Sequence, residues 1–125
     1  MVEDSDQTRD IYATFLEHHG WDVLTASDGR AGIRLARTER PDIVVMNLSM
    51  PVIDGVAATE LLREHESTAG IPIIVCTAYV REDGAHRALQ AGCDSYLEKP
   101  VPPSRLLEEI ERFVMRPAAR PPAKR

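Results

Sequence analysis

Two short apolar runs, at residues 43–46 and 71–76, constrain the fold of this chain more than any other feature. Each run has the length of a strand and lacks the polar alternation of a half-exposed strand, which indicates a strand buried on both faces. Residues 55–66 separate them and carry apolar side chains at helical spacing. A strand, a helix and a second strand in this order predict a parallel sheet joined by a right-handed crossover.

The same alternation continues along the rest of the chain. Shorter strands are predicted at residues 22–26 and 95–97. Further helices are predicted over four segments, namely residues 5–19, 28–38, 82–91 and 103–115. The sequence therefore predicts one α/β domain whose parallel sheet carries helices on both faces.

The beginning of the chain does not fit this pattern fully. The alternation requires a strand before Glu3, but only Met1 and Val2 precede it. A truncated first strand would leave backbone groups of its neighbours unpaired, and each such buried group is costly. Two explanations stay open: further residues upstream in the native gene, or a fold that is compromised or repaired by pairing between chains.

Charge and composition exclude several functional classes. The chain has 125 residues and a net charge of −5, and residues 116–125 hold four basic residues and no acid, so the body carries −9. An acidic body disfavours nucleic-acid binding. The Pro/Ala/Arg-rich tail is expected to be disordered, with a contact to nucleic acid or an acidic partner as the lesser alternative.

The chain also lacks the marks of a membrane or secreted protein. No apolar run approaches the roughly 20 residues of a membrane span, and no signal peptide is recognisable. We expect a cytoplasmic protein in which Cys76 and Cys93 stay reduced, because they lie too far apart in the predicted sheet for a disulfide.

Polar residues follow the predicted strands where a ligand crevice is expected. Glu3 and Asp4 follow the first strand, and Asn47, Thr77 and Lys99 follow three others. Each has an ordinary structural explanation by itself, such as a helix cap or a surface lysine. In parallel α/β sheets, however, the carboxyl ends of the strands meet at one edge. Acids that hold Mg2+, with a lysine and a hydroxyl, suit phosphoryl transfer to a carboxylate.

Four motifs make the chain resemble a response-regulator receiver domain of two-component signalling. They are VEDSD at 2–6, PDIVVMNLSMPVIDG at 41–55, IPIIVCTAY at 71–79 and DSYLEKP at 94–100. The resemblance covers residues 2–115. It implies a flavodoxin-like, doubly wound (βα)5 fold with strand order 2-1-3-4-5, formed by a receiver domain at 1–115 that precedes the tail at 116–125.

The resemblance also implies roles for individual residues. Glu3 and Asp4 would be the Mg2+ acids, joined by the backbone carbonyl of Ser49. Asn47 occupies the phospho-acceptor position.

The phosphoryl-contact positions would be Thr77, Ala78 and Lys99, with Thr77 and Tyr96 forming the conformational switch. The bond between Lys99 and Pro100 is expected to be a cis peptide.

Asn47 departs from the family pattern, because an amide forms no acyl phosphate. We therefore predict an atypical receiver that is not phosphorylated at Asn47, binds Mg2+ weakly and has no enzymatic activity. Asn47 as a natural variant and Asn47 as a replacement of a native aspartate in an ordinary receiver both stay open. A small flavodoxin-like enzyme or nucleotide binder is a remote alternative, since no Gly-rich phosphate loop follows the first strand.

The resemblance implies protein partners. A sensor histidine kinase or another phosphorelay protein is expected, and a downstream target would bind the face formed by residues 82–115. A homodimer stays open, and neither a membrane nor a nucleic acid is an expected partner of the domain.

Overall fold

The computed structural model describes residues 1–48, 50, 53–78 and 84–114. Within them, helices and strands follow each other in the predicted manner. They are α1 (Asp6–His18), α2 (Gly29–Glu39), β1 (Val44–Asn47), α3 (Gly55–Glu64), β2 (Ile73–Thr77), α4 (Gly84–Ala91), β3 (Ser95–Glu98) and α5 (Pro103–Phe113). The three strands form a parallel sheet in the order β1-β2-β3. The predicted α/β fold class is confirmed.

Strands β1 and β2 lie at the centre and are buried at every position. Because side chains alternate along a strand, the two faces of the sheet form two separate cores. Val44 and Met46 pack in the core on the side of α2, α3 and α4, whereas Val45 packs in the core on the side of α1 and α5. Burial on both faces explains why these strands are apolar throughout.

The first residues of the chain pair on both sides. Val2 forms parallel bridges to Ala26 and to Met46. The Val2 nitrogen donates to the Val45 carbonyl at 2.8 Å, and the Val2 carbonyl accepts from the Asn47 nitrogen at 3.0 Å. The expected loss of hydrogen bonds on both neighbours therefore does not occur at Val2. The spatial sequence Ala26, Val2, β1, β2, β3 is that of the order 2-1-3-4-5.

The predicted strand at residues 22–26 is not regular. Ala26 alone in that segment forms a bridge, and its nitrogen donates to the Met1 carbonyl at 3.0 Å. The Met1 nitrogen donates to the Leu24 carbonyl at 2.9 Å and the Glu3 nitrogen to the Ala26 carbonyl at 3.0 Å, so the pairing is confined to residues 24–26. The predicted short strand over residues 22–26 is thus not formed over its full length, although the segment lies beside Val2 as expected.

Three helices near the site begin with a side-chain cap. Ser5, Asp28 and Asp54 accept hydrogen bonds from the first turns of α1, α2 and α3, as residues of these types commonly do. Cys76 and Cys93 are free, as predicted, and both are buried. None of the helices in the described part of the chain has the length and apolar character that a membrane crossing needs. The predicted tail lies outside the described residues.

Candidate functional site

The candidate site lies at the carboxyl ends of the parallel strands. Asn47 ends β1, Thr77 ends β2, and Lys99 directly follows β3. Glu3 and Asp4 follow Val2, which pairs beside β1. The parallel register alone brings these five positions to one edge of the sheet.

A chain of hydrogen bonds connects three of these side chains. The Lys99 Nζ donates to the Asn47 Oδ1 at 2.6 Å. The Asn47 Nδ2 donates to the Asp4 Oδ1 at 3.1 Å. Asn47 is 7% exposed, whereas Asp4 is exposed and the Lys99 side chain is 33% exposed, so both bonds are partly buried. The amide thereby bridges a cation and an anion.

Glu3 is a buried acid with several compensating contacts. It is 5% exposed, and its Oε1 lies 3.7 Å from the Lys99 Nζ. Its Oε2 accepts from the Ser5 nitrogen at 2.9 Å. Its carbonyl accepts from a guanidinium nitrogen of Arg9 at 2.9 Å. A buried carboxylate needs such partners, because desolvation without them is costly.

Arg9 was not predicted as part of the site. Its guanidinium also pairs with Asp6, which lies three residues before it in the sequence at a spacing that favours ion pairs on a helix. That spacing predicts the pair on α1. It does not predict the bond to the Glu3 carbonyl, which depends on how α1 lies against the end of the first strand segment.

The other predicted site residues lie on β2 and β3 or next to them. Thr77 is 1% exposed, and its carbonyl accepts from the Lys99 nitrogen at 2.8 Å. Ala78 beside it is exposed. Tyr96 is 38% exposed and pairs in register with Val75, two positions before Thr77. The Lys99–Pro100 peptide bond is cis; Ser49 lies outside the described residues.

A small apolar cavity lies behind the site. Tyr12 on α1 and Cys76 on β2 line it together with Asn47 and Lys99. Burial raises the pKa of the Cys76 thiol to about 12, with Lys99 opposing the shift. The Tyr12 hydroxyl donates to the Val101 carbonyl at 2.5 Å. Burial raises the pKa of Tyr12 most, followed by the negative charges of the Cys76 thiolate, where that thiol ionises at high pH, and of Glu3. Both groups are neutral near pH 7 and add no charge to the site.

The donor set fits Mg2+ in kind. Glu3 and Asp4 supply carboxylate oxygens, the ligands that this hard cation prefers. No group of three or more His, Cys, Asp or Glu side chains converges among the described residues. At Asn47 the amide nitrogen, not the oxygen, faces Asp4. The site thus offers less charge to a cation than three acids would.

The family of the chain follows from comparison with known sequences. The sequence model of the response regulator receiver domain matches residues 1–111. The chain therefore belongs to the receiver domains of response regulators.

Relatives and solved structures agree with this assignment. The polar-differentiation response regulator DivK of Brucella anthropi is 28% identical over 114 residues, which cover 91% of this chain and 93% of DivK. The receiver domain of the sensor histidine kinase PA1611 from Pseudomonas aeruginosa, solved with a magnesium ion coordinated in its active site cleft, is 32% identical. It superposes with a TM-score of 0.84 and covers 90% of this chain and 92% of its own. The chemotaxis protein CheY4 of Vibrio cholerae is 27% identical, with a TM-score of 0.85 over 90% of this chain and 94% of its own.

Proposed function

We propose that this receiver domain acts in phosphorelay signal transduction through protein contacts and is not phosphorylated at Asn47. One observation carries the proposal: the residue that ends β1 between Asp4 and Lys99 is an amide. A carboxylate at this place is negatively charged and has a lone pair available to attack phosphorus. The nitrogen lone pair of an amide is delocalised, and its oxygen carries no full charge.

The remaining residues of the site have the roles that the family resemblance implies. Glu3 and Asp4, with the backbone carbonyl of Ser49, would hold Mg2+, which when bound neutralises phosphoryl oxygens. Thr77, Ala78 and Lys99 are the phosphoryl-contact positions, and Tyr96 with Thr77 forms the switch. Mg2+ binding is weak, because the third acid of the pocket has become a neutral amide.

The proposed partners are a sensor histidine kinase or another phosphorelay protein, and a downstream protein target. The target-binding surface is the face formed by α4, β3 and α5. Leu89 on α4 is 48% exposed and Tyr96 on β3 is 38% exposed, and exposed large apolar side chains are common at protein interfaces. A homodimer would use the same face of α4, β3 and α5. The domain is proposed to work in the cytoplasm without catalytic turnover.

A second candidate is an ordinary phospho-accepting receiver whose native aspartate at position 47 has been replaced by Asn. The retained acids, Thr77 and Lys99 favour it, because a site that never accepts phosphate does not need all of them. The two candidates predict the same behaviour for this chain. They differ in the codon that the source genome holds at position 47.

The test is the intact mass after incubation with a small phosphodonor and Mg2+, for this chain and for Asn47→Asp and Asn47→Ala variants. We expect a base-labile phosphoryl group on the Asn47→Asp variant alone. Phosphorylation of this chain and of the Asn47→Ala variant would show that another residue accepts the group and would overturn the proposal. If the Asn47→Asp variant stays unmodified as well, Asn47 is not the sole reason that this chain is not phosphorylated.

A further inference from the structure

We infer that the Asn47 amide takes the place of a bound cation as the partner of Asp4. Mg2+ therefore competes with the hydrogen bond between Lys99 and Asn47. The inference deepens the proposed function, on which it rests, by adding a regulation of the same site. The direction in which the Asn47 amide points affects Mg2+ binding separately from its lack of charge.

The orientation of the amide is fixed by the chemistry of its partners. An ammonium group has donors only, and a carboxylate has acceptors only. The amide oxygen must therefore face Lys99, and the amide nitrogen must face Asp4, as the distances of 2.6 Å and 3.1 Å indicate. The opposite orientation would place NH2 against the ammonium and the oxygen against the carboxylate, so neither bond could form.

Coordination of a cation by Asn47 demands the opposite orientation. To join Glu3 and Asp4 as a ligand, position 47 must present an oxygen, whereas the amide presents N–H protons on that side. Turning the amide supplies the oxygen but breaks both hydrogen bonds and directs NH2 at Lys99. An aspartate avoids this conflict, because it presents an oxygen on both sides. Asn47 therefore weakens Mg2+ binding by more than the loss of one charge.

Lys99 has an alternative partner when the amide turns. Its Nζ already lies 3.7 Å from the Glu3 Oε1, and its side chain is 33% exposed. The released ammonium can therefore remain near Glu3 or reach water. In consequence, Mg2+ binding and the position of Lys99 are coupled in this domain.

A double-mutant cycle separates the bridge from simple charge. Four proteins are compared: this chain, the Lys99→Met variant, the Asn47→Ala variant and the double variant. Each is titrated with MgCl2 alone at constant ionic strength, and the affinity is taken from the backbone amide shifts of Glu3 and Asp4 in NMR spectra. Removing the Lys99 charge raises Mg2+ affinity in both backgrounds. If the bridge competes, the gain with Asn47 present exceeds the gain in the Asn47→Ala background by about fivefold or more.

A second measurement needs no variant that could fail to fold. Asn47 is the only asparagine of the chain, and Gln7 and Gln90 are its only glutamines, so the side-chain NH2 signals of Asn47 are readily assigned. We expect these signals to shift with the same Mg2+ affinity as the Asp4 amide. For the double-mutant cycle, an Arg34→Met variant is the charge-matched control for Lys99→Met, because Arg34 is exposed on α2. The Mg2+ affinity of this control should stay close to that of the unaltered chain.

Three results would overturn the inference. They are equal gains in the two backgrounds, unchanged Asn47 NH2 signals when Mg2+ saturates Asp4, and no Mg2+ binding by any of the four proteins. The first two results leave the proposed function untouched, and the third would remove its Mg2+ site alone. The central claim, that Asn47 is not phosphorylated, would be overturned only by phosphorylation of this chain in the separate mass measurement.

Discussion

The Gly55 backbone lies so close to Asn47 that a Cβ on Gly55 would stand 2.5 Å from the Asn47 carbonyl oxygen and 2.8 Å from the Leu48 Cα. The Gly55 nitrogen also donates to the Leu48 carbonyl at 2.7 Å. Helix α3, capped by Asp54, therefore begins directly against the end of β1. The placement of Asn47 in the site depends on this close approach.

We predict that a Gly55→Ala substitution destabilises the domain and displaces Asn47. The added methyl group meets rigid backbone atoms, and such overpacking costs about 1–3 kcal/mol. Urea unfolding gives the free energy, and the Asn47 NH2 signals report the displacement. Gly70→Ala is the matched control, because a Cβ there has no atom within 4 Å. Equal stabilities of the two variants would show that α3 shifts without cost.

The central sheet was predictable from the sequence because burial on both faces leaves a strong pattern. The apolar runs at 43–46 and 71–76 became β1 and β2. Helical periodicity located α1 but did not decide which side chains lie innermost. The pairs Ile11 with Phe15 and Tyr12 with Leu16 have the same spacing, yet Leu16 is 4% exposed and Ile11 is 53% exposed. The arrangement of α1 on the sheet decides this, and it is a long-range property.

The positions of the candidate site were predictable for a similar reason. Parallel strands end at one edge of the sheet. The sequence therefore placed Asn47, Thr77 and Lys99 together at that edge. The direction of the Asn47 amide was not predictable, because it depends on which partners lie on each side. The bond from Arg9 to the Glu3 carbonyl was missed for the same reason.

Arg63 connects three segments at the opposite edge of the sheet. Its guanidinium donates to the Gly92 carbonyl at 2.8 Å, the Ala69 carbonyl at 2.9 Å and the Ile71 carbonyl at 2.6 Å. It also pairs with Asp94 at 2.7 Å. One side chain thereby holds the end of α3 to the segments that lead into β2 and β3.

We predict that an Arg63→Met substitution lowers the free energy of unfolding by about 2–3 kcal/mol, because several charge-assisted hydrogen bonds are lost together. A protein that carries both Arg63→Met and Asn47→Asp should still bind Mg2+, since Arg63 is remote from the carboxyl ends of the strands. Arg87→Met is the control. Its guanidinium lies 3.9 Å from Asp54 in an exposed pair, which contributes at most about 1 kcal/mol. A similar loss in both variants in urea unfolding would contradict the prediction.

Glu109 on α5 is a carboxylate that is 1% exposed. Its Oε2 accepts from the Ser95 hydroxyl at 2.5 Å and from Arg112 at 2.8 Å, and its Oε1 lies 3.0 Å from Arg105. Burial alone would raise the pKa of Glu109. The hydrogen bonds from Ser95 and Arg112, together with the ion pair to Arg105, outweigh burial and hold the pKa of Glu109 below its usual value.

We predict that the contribution of Glu109 to stability depends on pH. Because its pKa is lower in the folded state, the ionised carboxylate stabilises the fold above the unfolded-state pKa of about 4.3, and this stabilisation is lost as the pH falls through the lower folded-state pKa. A Glu109→Gln variant should lose about 1–3 kcal/mol at pH 7. The difference in free energy of unfolding between this chain and the Glu109→Gln variant should shrink below about pH 4. Urea unfolding from pH 7 to below about pH 4 measures this difference. Glu108→Gln, at a side chain that is 71% exposed, is the control with little expected effect. A gap for Glu109→Gln that stays constant over this range would mean that the shape of the side chain, and not its charge, stabilises the packing of α5 on β3.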